Sequence, residues 1–328
     1  MRMLVLGGTA WLGAGIARRA LEDGWEVTCL ARGESGSAPE GTRLVAADRT
    51  HPAAYVPVGG TGWDAVVDVA RQPGQVRSAV ATLADRAGHW SFVSTGNVYA
   101  DPSGPLTEDS ALREALTGDV AGMEEYGEGK VACEQAVSGL PRHTIWRAGL
   151  IGGPGDPSDR FGYWVSRLAL AGDGPVLVPD VPDQPVQVVD VRDLADWIVR
   201  AAREGVTGCY HAVGEMVRFA EVLDLAAQVA GFTGELVRVA PQWLLDHDVE
   251  HWMGERSLPL WLPEDHLGMV QMSPARARSA GFSVRPLEET LTATLEDERA
   301  RGLGRERRAG LSRADELALL ADQSLPAH

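Results

Sequence analysis

Short apolar runs alternate with stretches of helical period through the first half of the chain. Met3-Leu-Val-Leu6 is closed by Gly7-Gly8, and apolar positions then recur at Leu12, Ile16, Ala17, Ala20 and Leu21, the spacing of one helix face. Trp25–Leu30 alternates and predicts a second strand, Arg43–Ala46 a third, Trp63–Val69 a fourth and Trp90–Ser94 a fifth. Val76–Ala87 and Met123–Val137 carry helical period, and His143–Trp146 returns to strand. Short strands separated by helices predict the α/β class, with a doubly wound parallel sheet covered on both faces. After Trp146 the pattern changes. Gly152–Ser158 reads as loop, Phe161–Ala171 as helix and Val186–Asp190 as strand, with amphipathic helices over Asp193–Arg203 and Ala220–Val229. Gln242–Leu267 concentrates Trp243, Trp252 and Trp261 with no clean period, and Arg299–Leu320 is charged and helix-prone.

Composition narrows the function classes. With 45% hydrophobic and 23% charged residues, the 328-residue chain has the balance of a soluble globular protein. No apolar stretch approaches the roughly 18 residues of a membrane helix. The apolar run at the N-terminus is four residues long and reads as strand rather than signal peptide. Cys29, Cys133 and Cys209 are scattered without metal spacing, as expected of free thiols in a reducing cytoplasm. A formal charge of −16 opposes binding to a nucleic acid backbone. The expectation is a cytoplasmic protein with no membrane, nucleic acid or metal partner.

Strand, glycine turn and helix at the start of the chain form the opening unit of a Rossmann-type sheet. Gly7, Ala10 and Gly13 follow a G-x-x-G-x-x-G spacing with alanine in the middle place, and Thr9, Trp11 and Leu12 fill the turn between them. The helix's first amides then face a phosphate above the strand end. Residues 1–150 with 186–205 are expected to form the dinucleotide-binding domain. Residues 151–185 and 206–300 are expected to form a smaller C-terminal substrate lobe, and 301–328 a surface helix and tail. Arg160, Phe161, Tyr163, Trp164, Gln187 and the tryptophan-rich segment fall where that lobe would line a pocket. Tyr126 and Lys130, one helical turn apart, share a face. A phenol is a poor acid–base catalyst at neutral pH, and a neighbouring ammonium favours its ionised form. Ser94-Thr95 closes the fifth strand with hydroxyls suited to a carbonyl oxygen.

In this order, the motifs resemble the extended or atypical short-chain dehydrogenase/reductase superfamily, in its NAD-dependent epimerase/dehydratase group. The likeness rests on GGTAWLG at 7–13, Asp48-Arg49, Val69-Ala70, SFVSTGNVYA at 91–100, YGEGK at 126–130, WRAGLIGGPGD at 146–156 and VVDVRDLADWIV at 188–199, thinning after Gln242. The resemblance implies Tyr126 as the proton donor or acceptor at a substrate carbonyl, Lys130 on the nicotinamide ribose, and Thr95 as the catalytic hydroxyl. Alignment of Val98-Tyr99 with the family's Val-Tyr selects Thr95 over Ser94, and Ser94 joins the cofactor set. The resemblance places Asp48 and Arg49 beside the adenine, and Val69 and Ala70 between adenine and nicotinamide. Arg71 follows as a contact to a phosphate or to the substrate, or as a surface charge. Ala148 and Gly149 stand after Arg147 where the family has Arg-Pro, near the nicotinamide carboxamide. NAD-specific folds carry an acid at the end of strand two. Here Ala31 fills that slot and Arg32 follows, which favours NADP(H) over NAD(H). The expected activity is hydride transfer between nicotinamide and a carbonyl or alcohol. The alternatives are a nucleotide-sugar epimerase or dehydratase that recycles its cofactor, and a non-catalytic NAD(P)-binding regulator. The resemblance also implies a small-molecule carbonyl, alcohol or sugar as partner and pairing into a homodimer.

Overall fold

A computed structural model describes residues 1–322, so the last six residues of the expected 301–328 tail lie outside the described residues. The chain divides into two compact units. The first comprises Met1–Gly149, Val191–Val213 and Met272–Ser283; the second comprises Leu150–Asp190, Gly214–Gln271 and the described residues from Val284 on.

The first unit is built on seven strands: β1 (Arg2–Leu6), β2 (Glu26–Ala31), β3 (Arg43–Ala46), β4 (Ala65–Asp68), β5 (Trp90–Thr95), β6 (His143–Ala148) and β7 (Gly208–Ala212). Their order is β7-β6-β5-β4-β1-β2-β3, with every pair parallel. β4 and β5 are buried along their whole length, as expected of central strands covered on both faces. Helix α1 (Trp11–Glu22) packs on α4 (Val191–Glu204), and α2 (Pro73–Leu83) packs on α3 (Tyr126–Ser138). One core joins Leu4, Val66, Trp90, Phe92 and Ile145 of the sheet to Val76 and Leu83 of α2 and Cys133 and Val137 of α3. A second gathers Trp146, Trp197, Tyr210 and Phe282, with ring centroids as close as 5.0 Å. The chain leaves β1 toward β2 on one side and returns to β4 on the other. That reversal is the switch point at which doubly wound sheets bind ligands, beyond the carboxyl ends of their strands.

Two expectations about the elements are corrected. The strand Pro185–Asp190 does not complete the central sheet with the helix that follows it. It pairs with Leu150–Gly152 and Met216–Arg218 in the second unit, and Gly208–Ala212 takes the seventh place. Alternation reveals a strand but carries no information about its partner. The charged stretch Arg299–Leu320 is not one helix either. It forms the end of Leu287–Arg301 and a separate helix, Arg313–Leu320, because Gly302 and Gly310 take positive φ angles of 95° and 105° between them.

The second unit has its own core, in which Tyr163, Trp164, Phe219, Leu223, Trp261, Leu291 and Leu295 are buried. Phe161, Tyr163 and Trp164, expected to line a pocket, are at most 1% exposed and are core residues instead. Part of the tryptophan-rich segment has the same role: Trp261 is buried, and Trp164 donates its Nε1 hydrogen to the Pro259 carbonyl at 2.7 Å. Among the described residues no helix is long and apolar enough to cross a membrane, and no cluster of three or more His, Cys, Asp or Glu residues could hold a metal ion.

Candidate active site

Every candidate cofactor-binding and catalytic residue lies in the first unit, at or beyond the carboxyl ends of β1 to β6 or on the helix that follows β5. The glycine turn is built by close approach. Gly7 takes φ +97°, and a Cβ there would stand 2.6 Å from Val69 Cγ2. A Cβ on Gly13 would stand 2.2 Å from the Gly7 carbonyl oxygen, so only glycine lets α1 sit this close to β1. Gly8 escaped the sequence reading, although the doubled glycine was its signal; a Cβ there would meet Cys29 Sγ at 2.4 Å. Ala10 precedes α1 without a side-chain cap, and no acid stands in the helix's first turn. This end of α1 is therefore electrostatically suited to an anion. Thr9 is buried, Trp11 and Leu12 are partly buried, and the loop after β2 folds back so that Gly36 lies on the Thr9 carbonyl.

Around this turn the expected contacts divide. Val69 is partly buried and donates its amide to the Leu6 carbonyl, and Ala70 is 8% exposed. Arg32 is exposed, with its guanidinium 3.2 Å from Glu34. Asp48 is partly buried and accepts from the Thr50 amide; hydrogen bonds from Thr50 hold its carboxyl below the usual range. Arg49, expected beside the adenine, turns its guanidinium inward. It is buried, bonding Asp68 through two nitrogens at 2.8 and 2.6 Å, with further bonds to the Tyr55 hydroxyl and the Gln75 carbonyl. Arg71 is exposed, Ala148 is buried at the end of β6, and Gly149 donates its amide to the Ala212 carbonyl.

Tyr126 and Lys130 are carried by α3, and Thr95 stands at the end of β5. Thr95 is in extended conformation and its Oγ1 accepts from the Asn97 amide, capping the short turn Gly96–Val98. Tyr126 opens α3 and is partly buried. Both glycines beside it are close-approach positions. A Cβ on Gly127 would stand 2.3 Å from the Asn97 carbonyl oxygen, and one on Gly129 would stand 2.5 Å from Ala121 Cβ. Gly127 thus brings the start of α3 against the turn that follows Thr95. Lys130 is 3% exposed and donates from Nζ to the Ala70 carbonyl at 2.8 Å and the Val93 carbonyl at 2.6 Å, over the face of Phe92.

Behind this set runs a buried polar network that the sequence reading missed. Ser94, expected in the cofactor set, directs its hydroxyl hydrogen inward. It donates to Glu134 Oε1 at 2.5 Å, and Glu134 forms a two-nitrogen ion pair with Arg147. Arg147 Nη1 donates to the Tyr99 hydroxyl at 3.0 Å and the Glu108 carbonyl at 2.8 Å; Tyr99 in turn bonds His211 Nε2. His211 Nδ1 faces the Ser273 carbonyl, so that nitrogen carries the hydrogen and Nε2 accepts from the phenol. Burial pushes the Tyr99 phenol far above its ordinary range against the pull of Arg147, and pushes Cys209 up to about 12. Burial likewise pushes His211 below the ordinary histidine range, against the nearby Glu108, and lowers His89. Both histidines are neutral in the folded protein at neutral pH. The unfolded chain binds protons on them below about pH 6.5, while the folded chain resists until a lower pH. These two histidines are therefore expected to make stability fall as pH drops from about 6.5 toward 5. Urea midpoints across that window check this, and a profile flat down to pH 5 contradicts it.

Comparison with known proteins agrees with this architecture. The NAD dependent epimerase/dehydratase family matches residues 3–213. No curated protein matches. Among solved structures, a Burkholderia cenocepacia protein described as an epimerase is 23% identical with a TM-score of 0.68, covering 91% of this chain and 98% of its own. Bordetella bronchiseptica WbmH, solved with NAD+, is 20% identical with a TM-score of 0.66, covering 91% and 98%. Thermus thermophilus UDP-glucose 4-epimerase, solved with NAD, is 20% identical with a TM-score of 0.63, covering 92% and 100%. The chain belongs to the NAD dependent epimerase/dehydratase family of nicotinamide-dependent enzymes.

Proposed function

We propose that the protein moves a hydride between a nicotinamide cofactor and a carbonyl or alcohol carbon, with Tyr126 moving the proton at the substrate oxygen. The observation that carries this is the ammonium of Lys130. Two of its three hydrogens are held by the Ala70 and Val93 carbonyls, which leaves one for a ribose hydroxyl. The glycine cradle at Gly7 and Gly13 and the acid-free start of α1 fit the pyrophosphate of a dinucleotide. The nicotinamide supplies the hydride donor or acceptor. Thr95 Oγ1 already accepts from Asn97, so its own hydrogen is available to orient the substrate oxygen. Tyr126, on the same α3 face as Lys130, gives or takes the proton there.

Arg32, just after Ala31, supports NADP(H), because its guanidinium suits a 2′-phosphate that an acid at that slot would repel. A charge-assisted contact of this kind implies at least about tenfold tighter binding of NADPH than NADH, lost in Arg32→Ser. A second reading, nucleotide-sugar epimerisation with NAD, is favoured by the family and by the NAD-bound epimerase among the structural neighbours. One panel separates them: carbonyls and alcohols with either cofactor, and UDP-hexoses with no added reductant. Reduction consumes NADPH absorbance, whereas epimerisation interconverts sugars with no net change in it. Cofactor binding without turnover in either arm would make the site that of a regulator and sink the proposal.

A further inference from the structure

Tyr126, Lys130 and Glu134 recur at every fourth position of α3 and so share one face. Two of them tie that face to consecutive residues of β5. Lys130 donates to the Val93 carbonyl, and Glu134 accepts from the Ser94 hydroxyl; the next residue is Thr95. Arg147, directly opposite Ser94 in the β5–β6 register, grips Glu134 through Nε and Nη2. Both side chains of the pair are at most 7% exposed. A buried ion pair of this kind adds little stability over apolar residues of similar volume. What it adds is direction: a carboxylate fixed by a fork of two nitrogens accepts the serine hydrogen at one place only.

We propose that Glu134, held by Arg147, is a positioning residue that fixes α3 against β5 through Ser94 and so sets where Lys130 and Tyr126 stand relative to Thr95. This rests on the reading of Tyr126, Lys130 and Thr95 as the reacting set. Ser94 acts here through Glu134, without touching the cofactor itself.

The test is a double-mutant cycle between Ser94→Ala and the paired change Glu134→Leu with Arg147→Met, which removes both charges together, so that neither is left unpaired in the core. Two quantities are read in each protein: the emission of bound NADH, which needs no turnover, and kcat and KM on any substrate found. Ser94→Ala is expected to lower kcat by about 10-fold to 100-fold with KM changed less than about threefold, as for a small misplacement of reacting groups. It is also expected to move the bound-NADH emission toward that of Lys130→Met. Ser94→Thr, which keeps the hydroxyl, restores both. In the Leu/Met background Ser94→Ala has no further effect. Losses that simply add across the cycle would give Ser94 a direct role and overturn the proposal, as would wild-type kcat and emission in the paired variant. A normal rate in Tyr126→Phe instead topples the underlying site reading. If no substrate is found, the emission cycle alone decides between these outcomes.

Discussion

Replacing Tyr126 by phenylalanine is expected to lower kcat by about 10²-fold to 10⁴-fold, the usual contribution of a positioned proton donor. The change removes one oxygen from a partly buried side chain at the first position of α3. The backbone contacts that set that position remain: Gly127 against Asn97, and Lys130 against Ala70 and Val93. Cofactor affinity is therefore expected to stay within about threefold of wild type, a difference below 1 kcal/mol. Lys130→Met should behave differently, weakening cofactor binding and rate together, because in the proposed site the ammonium serves both the ribose and the phenol. Single-turnover rates and cofactor titrations on the two variants separate these outcomes. A Tyr126→Phe protein with wild-type kcat would remove the proton donor from the scheme.

The parts of this site that are legible in the sequence depend on local spacing. A strand of four apolar residues, Gly7 and Gly13 six positions apart just after it, and a tyrosine and lysine one helical turn apart all register in the chain itself. The glycines at 127 and 129 are visible there only as oddities, since glycine weakens a helix interior. Their reason is Asn97 and Ala121, residues outside the helix, and it cannot be read locally. The same holds for Arg49 and Ser94. Each stands where a cofactor contact is expected, but Arg49 is held by Asp68 and Ser94 by Glu134, 19 and 40 positions away. A charged or hydroxyl side chain near a strand end has no sequence mark that tells an outward contact from an inward brace. Strand partners are similarly long-range, which is why Pro185–Asp190 is expected in one sheet and found in another.

Arg49→Met is expected to destabilise the first unit by about 3–5 kcal/mol, the cost of leaving a buried carboxylate without its partner. Asp68 is 0% exposed, and among the described residues it receives the Ala70 amide besides two arginine nitrogens. Burial opposes the Arg49 charge, but Asp68 and Tyr55 outweigh it and hold the guanidinium above its ordinary range. Once Arg49 is gone, the carboxylate must protonate or draw in water. The double variant Arg49→Met with Asp68→Leu should recover most of the loss, because it leaves no charge behind. Urea unfolding followed by tryptophan emission tests both, with Trp63 and Trp90 reporting from the same core. The pair also bears on chemistry through a short chain of bonds. Asp68 fixes the Ala70 amide, and the Ala70 carbonyl is one of the two acceptors that hold Lys130. Arg49→Met is thus expected to weaken cofactor binding under conditions where the protein is still folded, and the double variant, still lacking the brace on Ala70, should regain stability without regaining affinity. Recovery of both together would mean that Ala70 is held without Asp68 and that the pair has no part beyond stability.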